Sequence, residues 1–187
     1  DFHYYLCRRL GGGMEIIMGI LSRIMGKSES TLTELVKPSK ELGSPLMGEV
    51  IPLETVNDEA FAKKSMGDGL AIIPAEGKLY APMSGMVEAL FPTNHAIAIA
   101  GDNGINVILH IGIDTVEMGG DGFEALVQQG DRVEKGQFLI TFDMDKIKSS
   151  GYEATTMVLL PDSSELGILH KRDIGQVMPQ EKLLWLG

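Results

Sequence analysis

From Ser44 onward the chain is written in short runs of Val, Ile and Leu, each closed by Gly, Pro, Asp or Asn. No other feature restricts its fold as much. Strands are expected near 46–53, 69–74, 78–82, 84–91, 95–100, 105–112, 137–142, 154–160, 174–178 and 182–186. Short strands at regular spacing with turn signals between them predict an all-β antiparallel sandwich or barrel. Two helical turns are expected to interrupt it. "FEALVQQG" (123–130) ends on Gly130, a plausible C-cap, and "DMDKIKSSG" (143–151) starts on Asp143, a plausible N-cap.

An echo runs through the first half of this region. "SPLMGEVIPL" (44–53) and "APMSGMVEAL" (81–90) align at an offset of 37, matching Pro45 to Pro82, Gly48 to Gly85, Val50 to Val87 and Leu53 to Leu90. Similarity at a fixed offset marks a duplicated unit, here two alike β-motifs packed on one core.

Residues 1–43 have a different texture and read as an N-terminal linker or amphipathic lead, with the domain at 44–187. Gly11-Gly12-Gly13 is linker-like, and Met14 after it is a candidate natural start. Ile17, Ile20, Leu21, Ile24 and Met25 fall at helical spacing. Asp1 in place of Met makes the chain read as a piece of a longer one. No apolar run reaches the roughly 18–20 residues of a spanning helix. A single cysteine, Cys7, excludes an intrachain disulfide and a Cys-based zinc site, and points to a reducing cytoplasm. The charge of −10, from 16 basic and 26 acidic residues, argues against nucleic acid and is compatible with a basic protein partner.

Chemistry concentrates in "TNHAIAIAGDNGINVILHIGID" (93–114), which holds two of the four histidines. A hairpin centred on Asp102–Asn103 would set His95 directly opposite His110. If the second strand runs far enough, Asp114 shares the face of His110. Two facing imidazoles allow three chemistries. A metal would need further ligands, with Asp114 a candidate. Acid–base catalysis would need a pocket. Nucleophilic attack on phosphorus needs one neutral ring nitrogen, which an imidazole with an ordinary pKa of about 6.5 supplies at neutral pH.

In this order, "SPLMGEV", "FAKKSMGDGLAI", "APMSGMV", "TNHAIAI", "GINVILHIGIDTVEMGGDGF", "GDRVEKGQ" and "FDMDKIKSSGYE" resemble the glucose-type enzyme IIA (EIIA) domain of the bacterial sugar phosphotransferase system. The resemblance implies a barrel-sandwich hybrid of the duplicated hybrid-motif type. It implies a phosphotransferase component in which His110 carries the phosphoryl group, His95 supports it and Thr93 supports His95. It further implies that HPr is the donor and the EIIB domain of a sugar permease the acceptor, in the cytoplasm, with the membrane reached only through the permease. No cofactor is implied beyond the covalently carried group, with incidental zinc at His95 and His110 allowed. Phe61, Met66, Phe91, Ile108 and Val116 fall at the positions of an apolar docking patch, and Asp58 and Asp114 at those of acidic residues around it. Glu59 and Ala60 depart from the apolar residues usual before that phenylalanine. Two other readings are a regulatory binding module of the same fold and a biotinyl or lipoyl carrier domain modified on Lys146.

Overall fold

The computed structural model describes residues 39–187. The expected glycine linker and amphipathic helix lie outside the described residues. The described part is built mainly of antiparallel strands, and Ser39–Gly187 forms one unit.

The first half contributes β1 (Glu41–Gly43), β2 (Gly48–Pro52), α1 (Glu59–Ala62), β3 (Asp68–Pro74), β4 (Lys78–Tyr80), β5 (Gly85–Leu90), β6 (Ala96–Gly101) and β7 (Asn106–Ile113). The second adds β8 (Phe123–Ala125), β9 (Arg132–Val133), β10 (Phe138–Phe142), α2 (Met144–Ser149) and β11 (Glu153–Leu160). It closes with β12 (Leu169–Lys171), β13 (Gly175–Val177) and β14 (Lys182–Leu186). An eight-stranded sheet runs β13-β2-β3-β11-β7-β6-β5-β9. Two three-stranded sheets, β1-β14-β12 and β4-β10-β8, pack with it around the main core.

Alternation along the strands sorts the side chains. Val107, Leu109 and Ile111 of β7, and Val158 and Leu160 of β11, enter the main core. Met157 and Leu159 of β11 and Ala71 of β3 point the other way, where Leu53, Val56, Phe61 and Ile113 cover them. The two central strands are therefore buried on both faces, which explains why "NVILHIGI" and "MVLL" are nearly continuous apolar runs.

The duplication reaches beyond the echo at offset 37. Tyr80 N–H donates to the Pro45 carbonyl at 2.7 Å, and Gly43 N–H to the Pro82 carbonyl at 3.0 Å, so the two copies exchange one bond for its equivalent. The strand order of the large sheet reads alike from both ends, with β11 and β7 in the middle. Gly43↔Lys182, Leu42↔Leu184 and Glu41↔Trp185 in one small sheet answer Tyr80↔Phe138, Leu79↔Ile140 and Lys78↔Thr141 in the other. The repeat of "EKGQFLITF" (134–142) by "MPQEKLLWL" (178–186) is poor in identity. Yet Gly136 and Gln180 both take positive φ, 86° and 70°, at matching turns.

Several expectations need correction. The folded sheet begins at β1, ahead of the expected boundary at residue 44, because Glu41–Gly43 pairs with β14. "FEALVQQG" is no helix: Phe123–Ala125 pairs with β10, and tertiary pairing overrides its helical propensity. Gly130, at φ 91°, belongs to a turn in which the Asp131 carboxylate accepts the Gln128 N–H. α1 is a helix beyond those expected, and Asp58 ahead of it is an N-cap residue type. The Asp143 cap is present, accepting from Lys146 N–H at 2.9 Å at the start of α2. Lys146 therefore lies on a helix, not at a hairpin tip, and its ammonium pairs with Asp121.

Matched Gly48 and Gly85 show why the echo keeps its glycines. A Cβ on Gly48 would stand 2.1 Å from the Ile73 carbonyl oxygen, and one on Gly85 2.2 Å from that of Ala100. Both contacts are with backbone that cannot swing aside. Gly48→Ala and Gly85→Ala should each lower stability by about 2 kcal/mol or more. Urea denaturation checks this, and a loss at only one of the two would contradict the equivalence of the halves.

Candidate functional site

β6 and β7 form a hairpin whose outer end carries the two histidines. Its register differs by one residue from the symmetric arrangement: Ala96, not His95, stands opposite His110. The loop has three residues, Asp102–Gly104, between Gly101 and Ile105, whose backbones bond at 2.9 Å. Gly104 adopts φ 79°, as three-residue hairpin loops require at their last position. An odd loop moves the centre onto Asn103.

A slip of one residue would normally send His95 to the opposite face. It does not, because His95 precedes β6 and follows Asn94, which has φ 54°. The strand's alternation has not yet begun there. His95 still meets its neighbour strand, its carbonyl accepting Ile111 N–H at 2.7 Å. Its ring stands edge-on to that of His110, centroids 4.8 Å apart at 82°. Ala96 and Ala98 on β6 leave the room that the rings and Ile108 occupy.

Both rings are held from behind. His110 Nδ1 lies 2.9 Å from the Gly112 carbonyl oxygen, which can only accept. Nδ1 therefore carries the proton and Nε2 the lone pair. Thr93 Oγ1 lies 2.5 Å from His95 Nδ1. With the Thr93 hydroxyl donating, Nε2–H of His95 becomes a donor. Phe91 packs edge-on against His95 at 5.7 Å, and Phe61 against His110 at 5.0 Å.

Burial sets the protonation. It pushes His95 down to about 4, and the nearby His110 adds to the effect. Burial also lowers His110, while the Gly112 bond and then the Asp58 and Asp114 carboxylates pull it part of the way back. Both imidazoles are neutral at pH 7, so one can attack and the other can donate.

The remaining predicted residues divide. Met66, Phe91 and Val116 are exposed at 40%, 43% and 47%. Ile108 is partly buried against the smaller apolar cluster. Phe61 is no surface residue: at 6% exposure it is part of that cluster and forms a wall behind His110. The cause is Asp58, whose carboxylate accepts the N–H groups of Ala60 and Phe61 at 2.8 and 3.1 Å, capping α1 and turning the phenylalanine inward. Asp58 is thus a helix cap as well as a charge near His110. Asp114 does not extend the strand face of His110. It has φ 57° and opens a 3-10 turn at Thr115–Met118. Among the described residues no group of three or more His, Cys, Asp or Glu is placed to hold a metal ion.

The duplication supplies a counterpart to the pair. Gly69↔Leu159 matches Ala96↔His110, so Asp68 and Leu159 stand where His95 and His110 stand in the other half. Even the preceding positive φ is kept, at Gly67. Asp68 is bound there by Lys171 at 2.5 Å and Lys64 at 3.1 Å.

The model of the family described as phosphoenolpyruvate-dependent sugar phosphotransferase system, EIIA 1, matches residues 40–166. A beta-glucoside-specific EIIBCA component of the PTS system from Halalkalibacterium halodurans is 46% identical over 147 residues, 79% of this chain and 23% of that protein. A glucose-specific EIICBA component from Staphylococcus saprophyticus is 43% identical over 133 residues, 70% of this chain and 20% of that protein. The chain thus spans less than a quarter of either relative. Among solved structures, glucose permease IIA from Mycoplasma capricolum matches with TM-score 0.74 and 31% identity, covering 79% of this chain and 95% of that one.

The depressed His95 has a thermodynamic signature. Well above pH 6.5 neither folded nor unfolded chain protonates it. As pH falls from 6.5 toward about 4, the unfolded chain binds the proton first and stability is lost. The loss approaches about 1.4 kcal/mol per pH unit. His95→Gln should flatten this limb in urea denaturation at pH 7.5, 6 and 5, and an unchanged slope would mean that His95 is not held neutral.

Proposed function

Because the chain belongs to the EIIA 1 family of the phosphoenolpyruvate-dependent sugar phosphotransferase system, we propose that its histidine pair is the phosphoryl-carrying centre of a sugar-uptake relay. The observation that carries this reading is the pair of pinned rings. The Gly112 carbonyl holds the proton on His110 Nδ1 and leaves its Nε2 bare, and His95, bonded to Thr93 Oγ1, stands edge-on beside it; with the Thr93 hydroxyl donating, His95 offers Nε2–H.

In the proposed step the His110 Nε2 lone pair attacks the phosphorus of a phosphorylated carrier protein, HPr. The N–P bond forms as the bond to the donor atom breaks, and that electron pair returns to the donor. His95 Nε2–H donates to a phosphoryl oxygen and offsets charge as it accumulates. Onward transfer reverses the geometry, with His110 as leaving group and an EIIB domain as acceptor. The relatives' names, EIIBCA and EIICBA, support an acceptor of that kind. Phosphoryl transfer of this type rests on alignment and charge compensation, which two pinned rings provide. The proposed step draws on no metal or cofactor.

Exposed Met66, Phe91 and Val116 supply apolar area for docking, and Asp58 and Asp114 supply negative charge toward a basic partner. The proposed place of work is the cytoplasm, with membrane contact through the permease alone.

With phosphoenolpyruvate, enzyme I and HPr, one acid-labile phosphoryl group should appear on His110. His110→Ala should accept none, and phosphate incorporated into that variant would reject the assignment. His95→Gln should still be labelled but pass the group on at least roughly tenfold more slowly, the loss expected for one charge-assisted hydrogen bond. Because burial depresses the His110 pKa, labelling should fall off at a lower pH than an imidazole of ordinary pKa would give.

A further inference from the structure

Besides His95, the buried polar side chains among the described residues are Ser44, Thr115 and Thr156. Both threonines lie beside the stretch of β7 that follows His110. Between Ile111↔Thr156 and Ile113↔Glu153 the ladder slips, so that Ala154 and Thr155 stand opposite the single Gly112. Gly112 takes φ 80° in this bulge. Its reversed peptide brings its carbonyl back to His110 Nδ1, a bond that regular alternation would not make.

Gly112 could adopt many conformations, so something must select this one. Thr115 Oγ1 donates to the Ile111 carbonyl at 2.5 Å, fixing the peptide that leads into Gly112. The Thr115 methyl fills the space a Cβ on Gly112 would occupy, 2.3 Å from that point, with the Glu153 carbonyl closing the other side at 2.8 Å. Across the ladder, Thr156 Oγ1 donates to the Ala154 carbonyl at 3.0 Å and holds the partner strand of the same bulge.

We infer that Thr115 is a positioning residue for His110: its hydroxyl locks the bulge at Gly112 and thereby keeps the imidazole proton on Nδ1 and the lone pair on Nε2. The consequence for transfer rests on the phosphoryl reading above, while the tautomer does not. Without the lock, the Gly112 peptide is free to turn and the Nε2–H tautomer, which has no lone pair at the reacting nitrogen, becomes populated.

The test is ¹⁵N NMR of the imidazoles in the full chain, with Thr115→Val and Thr115→Ser. Wild type should show His110 as a single Nδ1–H tautomer at pH 7.5. Thr115→Val, which keeps the volume and loses the donor, should show a mixed tautomer at His110 with His95 unchanged. Thr115→Ser should restore the wild-type pattern. Labelling by phospho-HPr should slow roughly three- to tenfold in Thr115→Val, the range one lost hydrogen bond delivers, and recover in Thr115→Ser. A wild-type Nε2–H tautomer, an unaltered tautomer in Thr115→Val, or a mixed one in Thr115→Ser would overturn the inference. So would full labelling speed alongside a mixed tautomer. Should Thr115→Val fail to fold, the serine variant decides, since it retains only the hydroxyl. If wild type shows the Nδ1–H tautomer yet takes no phosphate on His110, the phosphoryl reading fails and the tautomer lock stands.

Discussion

The site depends on burying β7 from both sides. One face of the strand belongs to the main core, and α1 with the turn at Leu53–Thr55 covers part of the other. A ring on the second face loses much of its hydration without being sealed off. That costs the charged form of an imidazole and leaves the neutral form nearly untouched. Asp58 and Asp114 temper the depression without reversing it. The fold thus selects a neutral His110 by dehydration, and then selects its tautomer by a single backbone carbonyl.

Positioning is a matter of where regular structure stops. His95 lies just before β6, after a left-handed Asn94. His110 lies just ahead of the irregular end of β7, where Gly112 and Asp114 both take positive φ. Each ring gains its hydrogen bond from a residue two positions away in sequence, Thr93 or Gly112. Such local bonds are made possible by irregular backbone and would be forbidden along an ideal strand. The extended sheet fixes the distance between the rings, and the broken ends aim them.

Much of this was legible from the chain. The longer strands announce themselves by apolar runs between turn residues, and the echo at offset 37 disclosed the duplication. β1, β8, β9 and β12 did not: each has two or three residues and forms only by pairing with a distant strand, whereas the equally short β4 and β13 sit inside longer extended runs. The hairpin register missed by one because "GDNG" signals a turn but not whether its loop is odd or even. Phe61 falls in a docking patch by the resemblance, and its four-residue helix carries no periodicity to show it turned inward, although Asp58 ahead of it is a cap. Thr115 gave no sign, since a threonine after Asp114 looks like any turn residue until its hydroxyl is seen against Ile111. A symmetric hairpin register pairs His95 with His110, one step from the Ala96↔His110 register of the fold. It was the left-handed Asn94, invisible to alternation, that kept the rings together.

The counterpart at Asp68 and Leu159 shows what duplication left unequal. The two halves offer geometrically equivalent seats, yet one holds a pair of proton-tuned rings and the other a carboxylate clasped by Lys171 and Lys64 beside an aliphatic side chain. A leucine offers no lone pair, and the ammonium groups already occupy the carboxylate. The described residues therefore offer one proton-tuned seat on a frame built for two. In the proposed relay a group loaded from one partner would leave through the same opening, so donor and acceptor would take turns at one face.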